Sequence, residues 1–251
     1  MHIKSLLAGC IAVVTAAAGQ AVEFVKNGGF EKVTLNGVAT AGSYEFGSRY
    51  ATVAVTDWAT SGYNFVFAAG AADTVGATGE YGNLQLWGPN NGSANGLPAA
   101  SPAGGNFVGA DGAFGVDAIS QTINGLIPNQ KATLTFSWGA AQQFGFDGTT
   151  TEQWQVTLGS ETFSTAVVTN ASHGFSGWML QTFVFTPTSN SALLSFLSIG
   201  TPAGVPPFAV LDGVSLQQGV VPEPATWALL ITGFAMVGMA SRRRRTGVVT
   251  A

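Results

Sequence analysis

Between Val22 and Gly219 no window of the chain holds a 3.6-residue apolar period over three turns, and this excludes a helical core. Short segments instead alternate or run apolar and stop at glycine, asparagine or proline. Ala51–Trp58, Tyr63–Ala68, Asn83–Trp87, Asn106–Gly109, Val116–Ile123 and Ala132–Gly139 read as strands, as do Glu152–Leu158, Thr162–Thr169, Trp178–Thr186, Ala192–Ile199 and Phe208–Leu216. Turns at this spacing predict an all-β sandwich or barrel. The stretch Asn90–Gly105, rich in Gly, Ser, Ala and Pro, reads as one long loop. Alternation also sorts the aromatics. Leu134, Phe136 and Trp138 share one strand face, and Trp154, Val156 and Leu158 another, so these rings are expected in the core.

The ends have a different grammar. Lys4 precedes an apolar run, Leu6–Ala18, and Ala18-Gly19-Gln20-Ala21 ends it with small residues, so 1–21 reads as a secretory signal peptide. Leu7-Ala8-Gly9-Cys10 matches the short consensus for lipoprotein processing. It lies too early in the apolar run, and Cys10 is expected to leave with the signal. The mature chain then has no cysteine, hence no disulfide or thiolate chemistry. Residues 22–219 are expected to form one domain, and 220–251 a separate segment. Within 22–220 there are 12 acidic side chains against Lys26, Lys32, Arg49 and Lys131, a net charge of −8 that offers nucleic acid no footing.

The tail reads Pro222-Glu223-Pro224, then an apolar run from Trp227 to Ala240, then Arg242, Arg243, Arg244 and Arg245. Proline fixes φ and withdraws a donor, so the triplet is stiff and extended. As a helix the 14 apolar residues reach about 21 Å, against roughly 30 Å of bilayer hydrocarbon. The arginines stop it on the cytoplasmic side. The whole resembles the PEP-CTERM sorting signal of Gram-negative bacteria. That resemblance implies an exosortase partner that recognises Pro222-Glu223-Pro224. It also implies export through the inner membrane, transient anchoring by a short transmembrane helix, and release to the cell surface or extracellular matrix.

Catalysis finds little footing. His173 is the one histidine left after signal removal, in the turn-like Asn170-Ala171-Ser172-His173-Gly174. There is no Gly-x-Ser-x-Gly elbow, no phosphate-cradling loop and no set of zinc ligands. Glu152 with Glu161 or Asp147 would satisfy the residue types of a glycosidase, but such pairs arise by chance among so many carboxylates. The expectation is a protein that is not an enzyme.

Trp87 stands opposite Leu84 and Leu86 on its strand and runs into the loop bearing Asn90, so it reads as an exposed aromatic platform for sugar, extended by Tyr81. Trp58, beside Asp57, is a second ring considered for that role. The loop Gln142-Gln143-Phe144-Gly145-Phe146-Asp147 carries phenylalanines expected at the surface.

Asn27-Gly28-Gly29-Phe30-Glu31 opens the domain, and Ile119-Ser120-Gln121-Thr122-Ile123 stands near its middle. Phe183-Val184-Phe185-Thr186-Pro187 comes late, and Leu211-Asp212-Gly213-Val214-Ser215-Leu216 closes it. This order is similar to the galactose-binding-like jelly roll of carbohydrate-binding modules. The resemblance implies a single jelly-roll β-sandwich and non-catalytic binding of extracellular polysaccharide. It also implies a structural calcium where first and last strands meet, at Glu31 and Asp212. Gly213 departs from the pattern, which often carries a further oxygen ligand there. The alternatives are a structural biofilm or matrix protein without a ligand site and, behind both, a polysaccharide hydrolase.

Overall fold

A computed structural model of the chain describes residues 21–35, 38–39, 42–47, 51, 53–219 and 231–238. Residues 1–20 of the expected signal peptide, Pro222-Glu223-Pro224 and Arg242–Arg245 lie outside the described residues. Residues 231–238 are helical, and no described helix is long and apolar enough to cross a membrane.

The unit Val22–Gln218 is all-β. Among the described residues its strands are β1 (Val22–Glu23), β2 (Val33–Leu35), β3 (Val38–Ala39), β4 (Tyr44–Phe46), β5 (Val53–Val55), β6 (Asn64–Phe67), β7 (Ala77–Gly79), β8 (Gly82–Leu84), β9 (Phe107–Asp111), β10 (Ile119–Asn124), β11 (Ala132–Gln142), β12 (Thr150–Leu158), β13 (Glu161–Ser164), β14 (Val168–Asn170), β15 (Met179–Phe185), β16 (Ser191–Thr201) and β17 (Pro207–Gln218). The larger sheet runs β15-β11-β17-β9-β6-β4-β5-β2-β3, with β1 beside β17 and the β7–β8 hairpin beside β4. The smaller runs β10-β16-β12-β13, with β14 also on β12.

The two sheets face each other across a single apolar layer. Trp154, Val156, Leu158, Leu194 and Phe196 of the smaller sheet share a core with Leu134, Phe136, Trp138, Leu211 and Leu216 of the larger. The alternation in β11 and β12 therefore predicts the core correctly. A second core lies on the other face of the larger sheet, where Phe65, Phe67, Phe107, Phe208 and Val210 pack under Ala72, Leu84, Leu86 and Leu97. Leu84 belongs to the hairpin, Ala72 to the turn before it, Leu86 to a bridge with Gln143 just after it, and Leu97 to the long loop, which contains no strand. The larger sheet is thus buried on both faces here, and every residue of β6 and β9 is buried for that reason.

Several boundaries differ from the sequence reading, and two of them have a local cause. Thr162–Thr169 divides into β13 and β14 at Thr165, whose Oγ1 accepts from the Trp154 N–H at 3.0 Å and whose N–H donates to the Trp154 carbonyl at 2.9 Å. Residues 116–118 are not strand, because the Asp117 carboxylate turns the chain by accepting from the Ala118 N–H at 2.9 Å and the Ser61 N–H at 2.9 Å.

Gly213 has a local structural reason. Thr135 pairs with Ser215 and Ser137 with Asp212, so Gly213 and Val214 oppose Phe136 alone. This is a β-bulge, and Gly213 adopts φ +61°, which a residue with a side chain rarely takes.

Candidate functional site

The end of β9, the end of β11 and the starts of β6 and β17 lie together at one end of the larger sheet, because each neighbouring pair is antiparallel. Their loops enclose a cleft of about 360 Å³ lined by Tyr63, Tyr81, Asp111, Phe114, Gln143 and Phe146, with Ala203, Gly204 and Pro206 completing the wall.

The rings reach this cleft by strand alternation. Tyr63, Phe65 and Phe67 point to one face of β6 and its lead-in. Phe107 stacks on Phe67 at 5.4 Å, Phe67 lies 6.3 Å from Phe65, and Tyr63 meets Phe65 edge-on at 4.6 Å. The buried ladder surfaces at Tyr63, where Phe114 at 5.4 Å and Tyr81 at 5.9 Å continue it into solvent. Tyr81 is 68% exposed and Phe114 50%, and Phe144 and Phe146 are exposed on the loop across the cleft. Contiguous exposed rings of this kind mark an interaction surface.

Asp111, 2% exposed, is the polar floor. Its Oδ1 accepts from the N–H groups of Ala113 at 2.8 Å and Phe114 at 3.1 Å, which fixes the turn that presents Phe114. Burial pushes its carboxyl up to about 6, and the two backbone donors hold it back. Burial also pushes the Tyr63 hydroxyl up, reinforced by Glu45, Asp111, Tyr81 and Glu80.

Of the residues expected from sequence to meet sugar, Tyr81 lies in this cleft. Trp87 does not line it. The Trp87 ring is half-buried, with one face stacked on His173 at 3.8 Å and its edge against Phe144 at 4.5 Å. Its Nε1 donates to the Phe146 carbonyl at 2.9 Å. Trp87 is therefore a buttress for the 143–147 loop rather than an open platform. His173 differs from the solvated turn residue its surroundings suggest: besides the Trp87 stack, its Nε2 meets Asp147 Oδ1, and its N–H donates to Gln142 Oε1 at 2.6 Å. Asn90 is tied to the buried Asp73 through its N–H at 3.0 Å and its Nδ2 at 3.1 Å, so it shapes the loop. Trp58 is 6% exposed, packs on Phe30 and donates to the Asn27 carbonyl at 3.0 Å. A ring so enclosed offers no surface to a ligand, and the platform expectation for Trp58 is corrected.

Sequence reading missed Tyr63, Phe114 and Asp111. The alternation of Tyr63, Phe65 and Phe67 and the turn signal Asp111-Gly112 were visible, but nothing local places them beside Tyr81.

Glu31 and Asp212 do converge. A Cβ on Gly29 would lie 3.8 Å from Glu31 Oε1 and 3.9 Å from Asp212 Oδ1. Asp212 is wholly buried; its Oδ2 meets the Ser101 hydroxyl, while its Oδ1 has no hydrogen-bond partner. Burial pushes its carboxyl up to about 7, Ser101 and the Gly213 backbone ease it, and Glu31 adds like charge. An orphaned buried carboxylate oxygen beside a second carboxylate fits a hard cation. No group of three or more His, Cys, Asp or Glu side chains is arranged for a metal among the described residues, so carbonyls and water would supply the remaining oxygens.

Residues 220–245 match the family described as the PEP-CTERM protein-sorting motif, and the chain carries that motif. No curated protein matches the chain. Among solved structures it is similar to TmCBM61 in complex with β-1,4-galactotriose, at 18% identity over 78% of this chain and 97% of that one, TM-score 0.39. It is also similar to the CBM22-1 xylan-binding domain of Xyn10C from Paenibacillus barcinonensis, at 11% identity over 83% and 100%, TM-score 0.36. Likeness at this level assigns no ligand.

Proposed function

We propose that this is an exported, exosortase-processed surface or matrix protein whose jelly-roll domain binds polysaccharide without catalysis. The observation that carries the binding reading is the cleft itself. Tyr63, Tyr81, Phe114 and Phe146 offer apolar ring surface to sugar C–H faces, and the Asp111 carboxylate and Gln143 amide supply hydrogen-bond groups for hydroxyls. Tyr81→Ala should weaken retention in a polysaccharide affinity gel about tenfold, as expected for an aromatic anchor. The midpoint of melting should hardly move, because the ring has little burial to lose. Unchanged retention of the variant on every polysaccharide that holds the parent would remove the cleft from consideration.

A signal peptide at 1–21 and a short transmembrane helix within 220–251 complete the proposed route. Replacing Pro222, Glu223 and Pro224 with alanine should leave an uncut species in the inner membrane, read by size and fractionation. Normal cutting and release would sink the exosortase assignment.

We also propose calcium at Glu31 and Asp212. A ligand bound by the native state alone stabilises by about 2.7 kcal/mol at a hundred-fold excess over Kd. That corresponds to several degrees in the melting midpoint of a domain this size. The gain should be larger above pH 7, where Asp212 gives up its proton, than at pH 5. A midpoint indifferent to chelator and to added calcium at both pH values would discard the site.

The second reading, a structural matrix protein, is favoured by one feature. Edge strand β15 has no charged residue and exposes Leu180 and Val184, the signature of a strand that can pair with another chain.

A further inference from the structure

Building on the cleft as the glycan site, we infer that it admits only polysaccharides free of carboxylate and sulfate groups. Among the described residues, every side chain around it that carries full charge at neutral pH is acidic or is tied to an acid. Asp111 forms the floor, and Asp147 follows Phe146 and is occupied by His173. On the far side of the β7–β8 turn, Glu45 and Glu80 line an adjoining cleft of about 500 Å³ with Tyr44 and Thr78. Tyr81 faces one cleft and Glu80 the other, although they are consecutive in the chain. Both glutamates and Asp111 oppose ionisation of the Tyr63 hydroxyl, behind burial as the larger cause, so their field reaches the ring wall on which a sugar would lie.

No lysine or arginine among the described residues lines either cleft. Lys26 lines a different depression with Asp57. Lys131 precedes β11, whose 11 residues place it about 35 Å from the Gln142 end. That is several times the screening length of roughly 8 Å at physiological salt. A uronate or sulfate on the rings would therefore meet negative charge that no lysine or arginine among the described residues of either lining compensates. An uncharged chain pays no such penalty, and the same rings and hydrogen-bond groups remain available to it.

The test is affinity gel electrophoresis of the full-length chain at pH 7.5. The probes are galactan, xylan and glucomannan, each beside the same polymer carrying introduced carboxylates. The expected result is retention on at least one neutral polymer and retention weaker by about tenfold or more on its carboxylated form. Glu80→Gln should narrow that gap, whereas Glu161→Gln, beyond the far end of β12, should not. Equal retention on the two forms, preference for the carboxylated one, or equal narrowing by both substitutions would overturn the inference while leaving glycan binding in place. Absence of retention on all six polymers would overturn the glycan reading itself and the inference with it.

Discussion

Glu152→Gln is expected to raise the melting midpoint by several degrees at pH 8.5 and by little at pH 5. Glu152 is 0% exposed on the inward face of β12, and neither carboxylate oxygen has a hydrogen-bond partner. Burial pushes its carboxyl from 4.5 up to about 8; the neighbouring Thr150 hydroxyl offsets this slightly without reaching hydrogen-bond geometry. The folded state therefore holds the proton more tightly than the unfolded chain does. Its contribution to stability is full below the ordinary carboxylate range and is lost as pH rises through about 8. Glutamine keeps the volume and cannot ionise, so it removes a penalty of roughly 2–4 kcal/mol that grows between those two pH values. Asp111 and Asp212 are shifted in the same direction, to about 6 and about 7, so the parent protein should itself melt lower at pH 8.5 than at pH 5. Thermal melts of parent and variant at the two pH values are sufficient. A parent midpoint independent of pH, together with an equal shift in the variant at both, would show that the burial of Glu152 is not as described.

The second large effect separates Trp87 from the rings it supports. Trp87→Ala should destabilise by about 2–3 kcal/mol, less than the roughly 3–5 kcal/mol expected of Trp138→Ala in the sandwich core. It removes a half-buried ring, the donor to the Phe146 carbonyl and the surface on which His173 stacks. The 143–147 loop then loses its buttress, and Phe146 its place in the cleft wall. Retention on polysaccharide should fall along with stability. Tyr81→Ala should lose retention while keeping its midpoint. An intact midpoint with lost retention for Trp87→Ala would instead make Trp87 a direct contact. An intact midpoint with intact retention would remove it from the site altogether.

The strand alternation around Phe136, Trp138 and Trp154 was enough to identify the inner core, because burial on one face of a pleated sheet imposes a period of two whatever the neighbouring strand is. Glycine and proline content marked the long loop, and the tail motif was reached through a resemblance carried by Pro222-Glu223-Pro224, the short apolar run and the four arginines. Sequence reading also brought Glu31 and Asp212 together, through a resemblance that concerns where the opening and closing strands meet.

What it did not reach is the second layer over the larger sheet. Local pattern cannot distinguish a strand covered by a partner sheet from one covered by a hairpin and a loop. Trp87 accordingly looked free when it was pinned by His173, 86 residues away in sequence. Trp58 lost its surface to Phe30 and Phe196 in the same manner. The cleft itself draws Tyr63, Tyr81, Asp111, Phe114, Gln143 and Phe146 from four separate stretches of chain. Each of those residues obeys a local rule that the sequence displays. Their meeting is decided by the antiparallel order of β6, β9, β17 and β11, which sets distant loops at one end of a sheet, and by the pairing of the β7–β8 hairpin with β4, which adds Tyr81.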